Sequence, residues 1–285
     1  MNIRRTGVAL ILLLSGCAGP LDSEPELGAP VGEPVNVIDA SSLNDLMLTV
    51  SDPEDAIAYF QRALAEDPDR AEFRRGYALA LARARRHDEA AAAFAALDVD
   101  GIADDRTRIE HAHSLARLER WSEAEAEMAE VSGAADGPRR HLIDAMLADQ
   151  RADWIAADIS YEKARAAAAN PAAILNNWGV SKMSRGDPGA AEKTFEQALS
   201  YDPRLFNAKN NLAVARALQG EYRLPLVAMT EEERAVMLHN IGVIALRRGD
   251  QDAAKGLFTM AVAAHPRYYA EAAEKLAALS ANVVN

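Results

Sequence analysis

Small and aromatic residues recur along the chain at one fixed spacing. An alanine is followed by an aromatic residue four positions later, then by a second alanine three positions on and a proline five further on. The full pattern occurs three times, at Ala56, Phe60, Ala63 and Pro68, at Ala191, Phe195, Ala198 and Pro203, and at Ala254, Phe258, Ala261 and Pro266. Partial versions occur at Ala90, Phe94 and Leu97, at Ala124, Met128 and Val131, and at Ala157, Tyr161 and Ala164. Offsets of four and seven lie on one helical face, so each occurrence predicts an amphipathic helix.

A second apolar stripe precedes each of these helices. Its members include Tyr77, Ala78 and Leu81, His111, Ala112 and Leu115, Trp178 and Gly179, Leu212 and Ala213, and Ile241, Gly242 and Ala245. Turns are predicted between the paired helices at 86–88, 120–122, 186–188 and 249–250. The frame of about 34 residues, with small residues where two helices meet, resembles the tetratricopeptide repeat. An alanine-rich coiled coil is the alternative, but the regular Gly/Asp turns argue against it. The predicted fold is therefore all-α, a tetratricopeptide-type α-solenoid of antiparallel helix pairs.

The repeats are predicted at about 37–70, 71–104, 105–137, 138–171, 172–205, 206–234 and 235–268. A last helix over 269–280 is expected to cap the open end, and the whole solenoid is expected to occupy 37–285. The sixth repeat is irregular, because Pro225 stands where its second helix needs a close-packing alanine. Residues 221–229 should therefore be extended, and Thr230 with Glu233 should start the next helix as a capping box.

The beginning of the chain predicts export and lipid attachment. Arg4 and Arg5 precede an apolar run from Val8 to Leu14, which is too short to span a membrane and is typical of a signal peptide. Leu14-Ser15-Gly16-Cys17 resembles the lipobox of bacterial lipoproteins, which implies a signal peptide at 1–16 and acylation of Cys17. An ordinary secretory peptide with a chance cysteine is the alternative. Residues 17–36 contain four prolines and are expected to form a flexible tether. In enteric bacteria, aspartate directly after the acylated cysteine marks a lipoprotein for retention in the inner membrane. Residue 18 is alanine, so we expect the anchor to lie on the periplasmic face of the outer membrane.

Composition and motifs exclude several function classes. A net charge of −12 disfavours nucleic acid as a partner, and a single cysteine leaves no disulfide. The chain has no nucleophile, zinc-protease or phosphate-loop motif, so we expect neither enzymatic activity nor a cofactor. His111 and His113 should lie on different faces of one helix, which argues against a metal site formed by both. The glutamates of the following helix are expected to be a solvated surface, namely Glu123, Glu125, Glu127 and Glu130.

A polar series recurs in the first helices of the last three repeats. We call these residues the asparagine series. Each helix contributes two adjacent polar residues and a valine three positions after the second of them. The nine candidate binding residues are Asn176, Asn177 and Val180, Asn210, Asn211 and Val214, and His239, Asn240 and Val243. Amides offer both donors and acceptors, so the series could bind the backbone of an extended peptide above a floor of valines in a concave groove. Alternatively, the asparagines bond neighbouring helices to each other.

The second half of the chain also resembles a narrower family, the TadD lipoproteins of the tight-adherence (Flp pilus) machinery. The resemblance covers about 172–279 and rests on 205–212, on Leu224-Pro225-Leu226 with Met229-Thr230-Glu231, and on 238–242. It implies a non-enzymatic, pilotin-like assembly factor whose partners are the outer-membrane secretin and other pilus components. A scaffold for another envelope process, either outer-membrane protein insertion or recruitment of peptidoglycan hydrolases, is the alternative.

Overall fold

The computed structural model describes residues 40–265, 267 and 269–281. Within these residues the chain forms fourteen α-helices and no strand, which confirms the all-α class. The predicted signal peptide at 1–16, the acylation site Cys17, the tether at 17–36 and Pro266 lie outside the described residues. No helix in the described part of the chain has the length and apolar character needed to cross a membrane. The chain divides into two compact units that meet in sequence between Pro171 and Ala172.

The N-terminal unit contains eight helices joined in pairs by short turns. They are α1 (Ala40–Thr49), α2 (Pro53–Glu66), α3 (Ala71–Arg83), α4 (His87–Val99), α5 (Asp105–Arg117), α6 (Trp121–Ala129), α7 (Pro138–Gln150) and α8 (Trp154–Ala167). Each helix packs on the next, and the odd-numbered helices also pack on one another. We refer to the odd-numbered members as first helices and to their partners as second helices. This arrangement matches the predicted helix pairs.

The residues of the repeated stripe form the core of both units. The first alanine of all six occurrences is fully buried, and so are the aromatic residues Phe60, Phe94, Tyr161, Phe195 and Phe258 within 2%. Aspartates at the ends of loops start several second helices, as Asp52, Asp153 and Asp187 each accept a hydrogen bond from a backbone N–H of the first turn. The sequence pattern therefore identified the buried face of each second helix correctly.

Turns within the pairs pass through the left-handed backbone region. Glycine supplies that conformation at Gly186 and Gly249, with φ of 85° and 88°, close to the predicted turns. In the N-terminal unit Arg85, Glu119 and Ala152 adopt it instead, with φ between 56° and 60°. Helices α4 and α6 begin at His87 and Trp121, so those two turns lie one or two residues earlier than the sequence suggested.

The C-terminal unit contains the remaining six helices. They are α9 (Ala172–Ser184), α10 (Pro188–Tyr201), α11 (Phe206–Leu218), α12 (Glu231–Arg247), α13 (Gln251–Ala264) and α14 (Ala270–Ala281). The first helices are α9, α11 and α12, while α10 and α13 are second helices. Helix α14 buries Ala272 against the core shared by α12 and α13, within one residue of the predicted capping helix.

Between α11 and α12 the second helix of the sixth repeat is missing, as Pro225 predicted. Residues 221–230 form no helix, and Pro225 itself is buried. Side chains on both sides of it pack on the core, including Tyr222, Leu224 and Met229. The Thr230 hydroxyl accepts a hydrogen bond from Glu233 N at 3.1 Å, and Glu233 Oε2 accepts one from Thr230 N at 2.9 Å. The predicted capping box is therefore confirmed, and α12 begins at Glu231, ahead of the repeat boundary placed at 235.

Candidate interaction surface of the C-terminal unit

The asparagine series lies on the first helices of the C-terminal unit, as the sequence indicated. Asn176 and Asn177 are the fifth and sixth residues of α9, and Asn210 and Asn211 are the fifth and sixth of α11. Helix α12 starts about one turn earlier, so His239 and Asn240 occupy the equivalent turn further along it. Helices α9, α11 and α12 pack on one another in this order, which brings the series together.

Two pairs of asparagines bond across neighbouring first helices. The Asn211 amide N–H donates to Asn176 Oδ1 at 3.0 Å, which joins α11 to α9. The Asn240 amide N–H donates to Asn210 Oδ1 at 2.7 Å, which joins α12 to α11. The acceptors are the more enclosed members, since Asn176 and Asn210 are each about 9% exposed. For these four residues the geometry favours the alternative in which asparagines connect helices.

Asn177 differs from the other members of the series. It is half-buried, and its side chain forms no hydrogen bond with any residue that the structure describes. Val180, one turn further along α9, is 42% exposed. The two residues therefore present an uncommitted amide, with both donor and acceptor capacity, beside an exposed apolar side chain. We call this pair the α9 patch.

The valines do not form one continuous floor. Val214 is only 2% exposed and belongs to the core between α11 and α12, so it cannot contact a ligand at the surface. Val243 is half-buried against the same core. The sequence argument failed here because it gave every valine the environment of Val180, whereas α11 is covered by neighbouring first helices on both sides.

His239 takes the place that asparagine has in the two preceding first helices, and its surroundings are aromatic. Its ring lies 5.6 Å from that of Phe258 and 5.4 Å from that of Tyr269. Burial lowers the pKa of His239; Glu271 opposes this shift and Lys275 adds to it. Nδ1 is buried without a hydrogen-bond partner among the described residues. The series therefore ends at a mainly neutral imidazole that packs against Tyr269, the residue directly before α14.

Charged residues that the sequence did not single out stabilise the same helices. Lys209 is 3% exposed, and its Nζ lies 3.0 Å from Glu233 Oε2, so the capping glutamate of α12 also binds α11. Arg216 is 6% exposed and bonds Glu192 at 2.8 Å and Glu196 at 2.7 Å, which joins α11 to α10. These pairs are 20 to 24 residues apart, a separation that gives no local signal in the sequence.

Chemically, the residues described for this surface suit binding. The polar members of the asparagine series are neutral amides and the imidazole of His239, and the buried cations beside them are paired with carboxylates. Val180 on α9 adds an exposed hydrophobic residue beside the amides. Amides beside exposed apolar side chains suit an extended polypeptide, whose backbone needs donors and acceptors in alternation.

Comparison with known proteins agrees with the repeat architecture. Residues 47–105 and 176–223 match a family model described as tetratricopeptide repeat. The search of curated proteins found no match. Among solved structures, the chain is similar to one in a crystal structure of the APC/C hetero-tetramer Cut9-Hcn1, with a TM-score of 0.55 and 16% identity over 84% of this chain and 47% of that chain. The chain thus spans about half the length of that relative.

Two further solved structures match the chain at lower similarity. A tetratricopeptide repeat protein from Parabacteroides merdae ATCC 43184 has a TM-score of 0.47 and 13% identity, covering 87% of both chains. Yeast Tom70 has a TM-score of 0.46 and 12% identity, covering 92% of this chain and 67% of that one. The predicted fold, an all-α solenoid of the tetratricopeptide type, is confirmed by the helix pairs together with the first structural match.

Proposed function

We propose that this chain is a lipid-anchored scaffold on the periplasmic face of the outer membrane that assists assembly or localisation of the Flp pilus secretin. Tetratricopeptide repeats imply a protein–protein interaction scaffold, which is the general part of this function. The cellular location, the lipid on Cys17 and the secretin as partner are the specific parts, and they rest on the sequence.

The observation that carries the specific proposal is the interrupted sixth repeat. A buried Pro225 and a capping box at Thr230 replace a second helix, and both lie in one of the three segments on which the resemblance to the TadD lipoproteins rests. An ordinary repeat needs no such interruption, because two helices and a short turn already bury its core. Tyr222, Leu224 and Met229 fix the position of this segment by packing against the core of the C-terminal unit.

Binding is proposed to centre on the α9 patch. Asn177 has an amide without a partner among the described residues, and Val180 supplies exposed apolar surface next to it. A partner strand that passes over α9 would use the amide for its backbone and the valine for a side chain. The four asparagines that pair with each other would then hold the first helices in place beneath it.

A deletion strain with complementation tests the proposed function. Without the protein, we expect secretin subunits that do not assemble and cells that lack Flp pili. Complementation with the native chain should restore both, whereas Cys17→Ser should not, because the thioether lipid cannot form on serine. Secretin multimers are read on non-dissociating gels, pili by electron microscopy, and anchoring by membrane fractionation.

Two results would contradict parts of the proposal. Normal secretin multimers in the deletion strain would favour the other envelope processes, namely outer-membrane protein insertion or recruitment of peptidoglycan hydrolases. If the Cys17→Ser protein were processed and fractionated with membranes like the native chain, the lipid anchor would be rejected. Ala18→Ser serves as the matched control, because it changes the neighbouring residue and leaves the acylated sulfur in place.

A further inference from the structure

We infer that Asp98, His111 and Glu127 form a binding site for a divalent metal ion, and we name Zn²⁺ as the ion to be tested. The three residues come from three consecutive helices of the N-terminal unit, α4, α5 and α6. One ligand atom from each lies within 4.8 Å of the other two. This site is independent of the surface on the C-terminal unit, and its test does not depend on the proposed function.

The distances suit a single ion. His111 Nδ1 lies 3.2 Å from Glu127 Oε1 and 3.8 Å from Asp98 Oδ2. Zinc binds nitrogen and carboxylate oxygen at about 2.0–2.2 Å, which places neighbouring tetrahedral ligands about 3.4 Å apart. Small movements of the Asp98 carboxylate would therefore complete a three-ligand site with a fourth position left for water.

His111 supplies the observation that a carboxylate cluster alone would lack. Its side chain is 7% exposed, and its buried Nδ1 forms no well-aligned hydrogen bond in the described part of the chain, although Glu127 Oε1 lies 3.2 Å away. A buried polar atom whose hydrogen-bonding capacity is not fully used destabilises the fold. Nδ1 faces two carboxylate oxygens, so a cation between them would satisfy all three atoms at once.

Arg108 arranges the carboxylates for this purpose. Its guanidinium binds Asp98 Oδ1 at 2.9 Å and Glu127 Oε2 at 3.3 Å. The remaining oxygens, Asp98 Oδ2 and Glu127 Oε1, are the ones that face His111. Outer contacts that fix one oxygen of a carboxylate and free the other are typical of metal sites.

The charge balance also favours a cation. The two carboxylates of Asp98 and Glu127 share the single guanidinium of Arg108, so the cluster keeps an excess of negative charge. Asp98 and Arg108 retain about a quarter of their side-chain exposure, so an ion can reach the cluster from solvent.

The repeat itself does not require these residues. In the preceding pair of helices the equivalent positions hold Leu64, Tyr77 and Ala93, of which none could bind zinc in this way. Packing of the helix pair is therefore possible with apolar residues, and the polar set has to be explained separately. Local spacing does not reveal this set, because 13 and 16 residues separate His111 from the two acids and the sequence pattern places Glu127 on a solvated helix surface.

Isothermal titration of ZnCl₂ into the metal-free full chain tests the site. We expect one ion per chain, and a loss of affinity of about tenfold or more in each of Asp98→Asn, His111→Gln and Glu127→Gln. Glu123→Gln is the matched control, since Glu123 lies on the same helix, is 57% exposed and pairs with Arg120. Its affinity for zinc should equal that of the native chain.

Thermal melting with and without zinc keeps the test valid if a variant is poorly folded. Zinc should raise the Tm of the native chain and of Glu123→Gln, but not that of Asp98→Asn, the most exposed of the three ligands. An absence of stoichiometric binding would overturn the inference. Binding that is equally tight in all three ligand variants would also overturn it, because the ion would then lie elsewhere.

Discussion

The first helices of the two units carry different chemistry at the same three positions. In α9 and α11 of the C-terminal unit the fifth and sixth residues are asparagine and the ninth is valine. In α3, α5 and α7 of the N-terminal unit the fifth residues are Arg75, Ile109 and Leu142, the sixth are Gly76, Glu110 and Ile143, and the ninth are Leu79, His113 and Met146. Neutral amide pairs thus join neighbouring first helices in one unit, at 2.7 and 3.0 Å. In the other, Arg139 of α7 reaches α5, bonding Glu110 at 3.1 Å and lying 3.4 Å from His113 Nε2.

The same arrangement of first helices is therefore compatible with two kinds of polar contact between them, namely pairs of amides or a network of charged and imidazole groups. Amide pairs do not change charge with pH, whereas a network of guanidinium, carboxylate and imidazole does. The contacts between first helices in the N-terminal unit should therefore respond to acid, whereas the amide pairs of the C-terminal unit should not. The eighth residue of the first helix is alanine in α3, α5, α7 and α11, but glycine in α9, at Gly179.

The glycine supports the largest effect that we predict. A Cβ atom added at Gly179 would clash with Cε1 of the fully buried Phe195. Gly179→Ala should therefore lower the free energy of unfolding by about 2–3 kcal/mol through overpacking, even though alanine is the better helix former. Chemical denaturation of the purified chain measures this change.

Gly256→Ala is the control for this substitution. Gly256 lies inside α13, and nothing is within 4 Å of the position where its Cβ would be. Alanine should stabilise this helix by up to about 1 kcal/mol. If both substitutions shifted stability in the same direction, the close contact between Gly179 and Phe195 would not control packing of the pair.

Acid should destabilise the N-terminal unit through His113. Burial lowers the pKa of His113 well below 6.5, and the positive charges of Arg139, His87, Arg117 and Arg85 add to the shift. The folded state therefore keeps the imidazole neutral while the unfolded chain takes up a proton. The stabilisation is complete above pH 6.5 and is lost as the pH falls, by up to about 2 kcal/mol at pH 5.

Hydrogen exchange followed by mass spectrometry can locate this loss. Between pH 7 and 5, after correction for intrinsic rates, peptides from α5 should lose protection, and this loss should be smaller in His113→Gln. His265→Gln, which removes a histidine from the C-terminal unit, should leave the α5 response unchanged. An identical response in the native chain and in His113→Gln would show that His113 is not its source.

Much of the fold could be predicted because the repeat specifies it locally. The alanine and aromatic stripe marked the buried faces, Pro225 marked the missing helix, and Thr230 with Glu233 marked the start of α12. Each of these signals spans fewer than ten residues and acts through sterics or local hydrogen bonds. The same locality explains why the final helix was predicted within one residue of its observed bounds.

The site was predicted less well, because its chemistry depends on contacts between distant residues. The sequence could indicate that asparagines recur, but not that Asn211 bonds Asn176 from 35 residues away. It also could not separate the exposed Val180 from the buried Val214, since both occupy the same position of their helices. Glu127 was assigned to a solvated surface for the same reason: its neighbours, His111 and Arg108, belong to another helix.

The smallest effect separates the two roles of the asparagine series. Asn211→Ala removes the donor to Asn176 Oδ1 and leaves a nearly buried acceptor unpaired, so stability should fall by about 1–2 kcal/mol. Asn177→Ala removes no hydrogen bond within the described residues, so stability should change by less than about 0.5 kcal/mol. Thermal melts of the two variants, recorded side by side, measure the difference.

Partner binding should reverse this order. If the α9 patch contacts the partner, Asn177→Ala should weaken binding by about tenfold, since a lost hydrogen bond to a desolvated group costs about 1–3 kcal/mol. Asn211→Ala should bind normally at temperatures where it is folded, because its amide acts between helices. Calorimetric titration with the purified secretin, on the same samples as the melts, measures the affinity of each variant for the partner. Unchanged affinity in Asn177→Ala would reject the α9 patch and leave the whole asparagine series with a structural role.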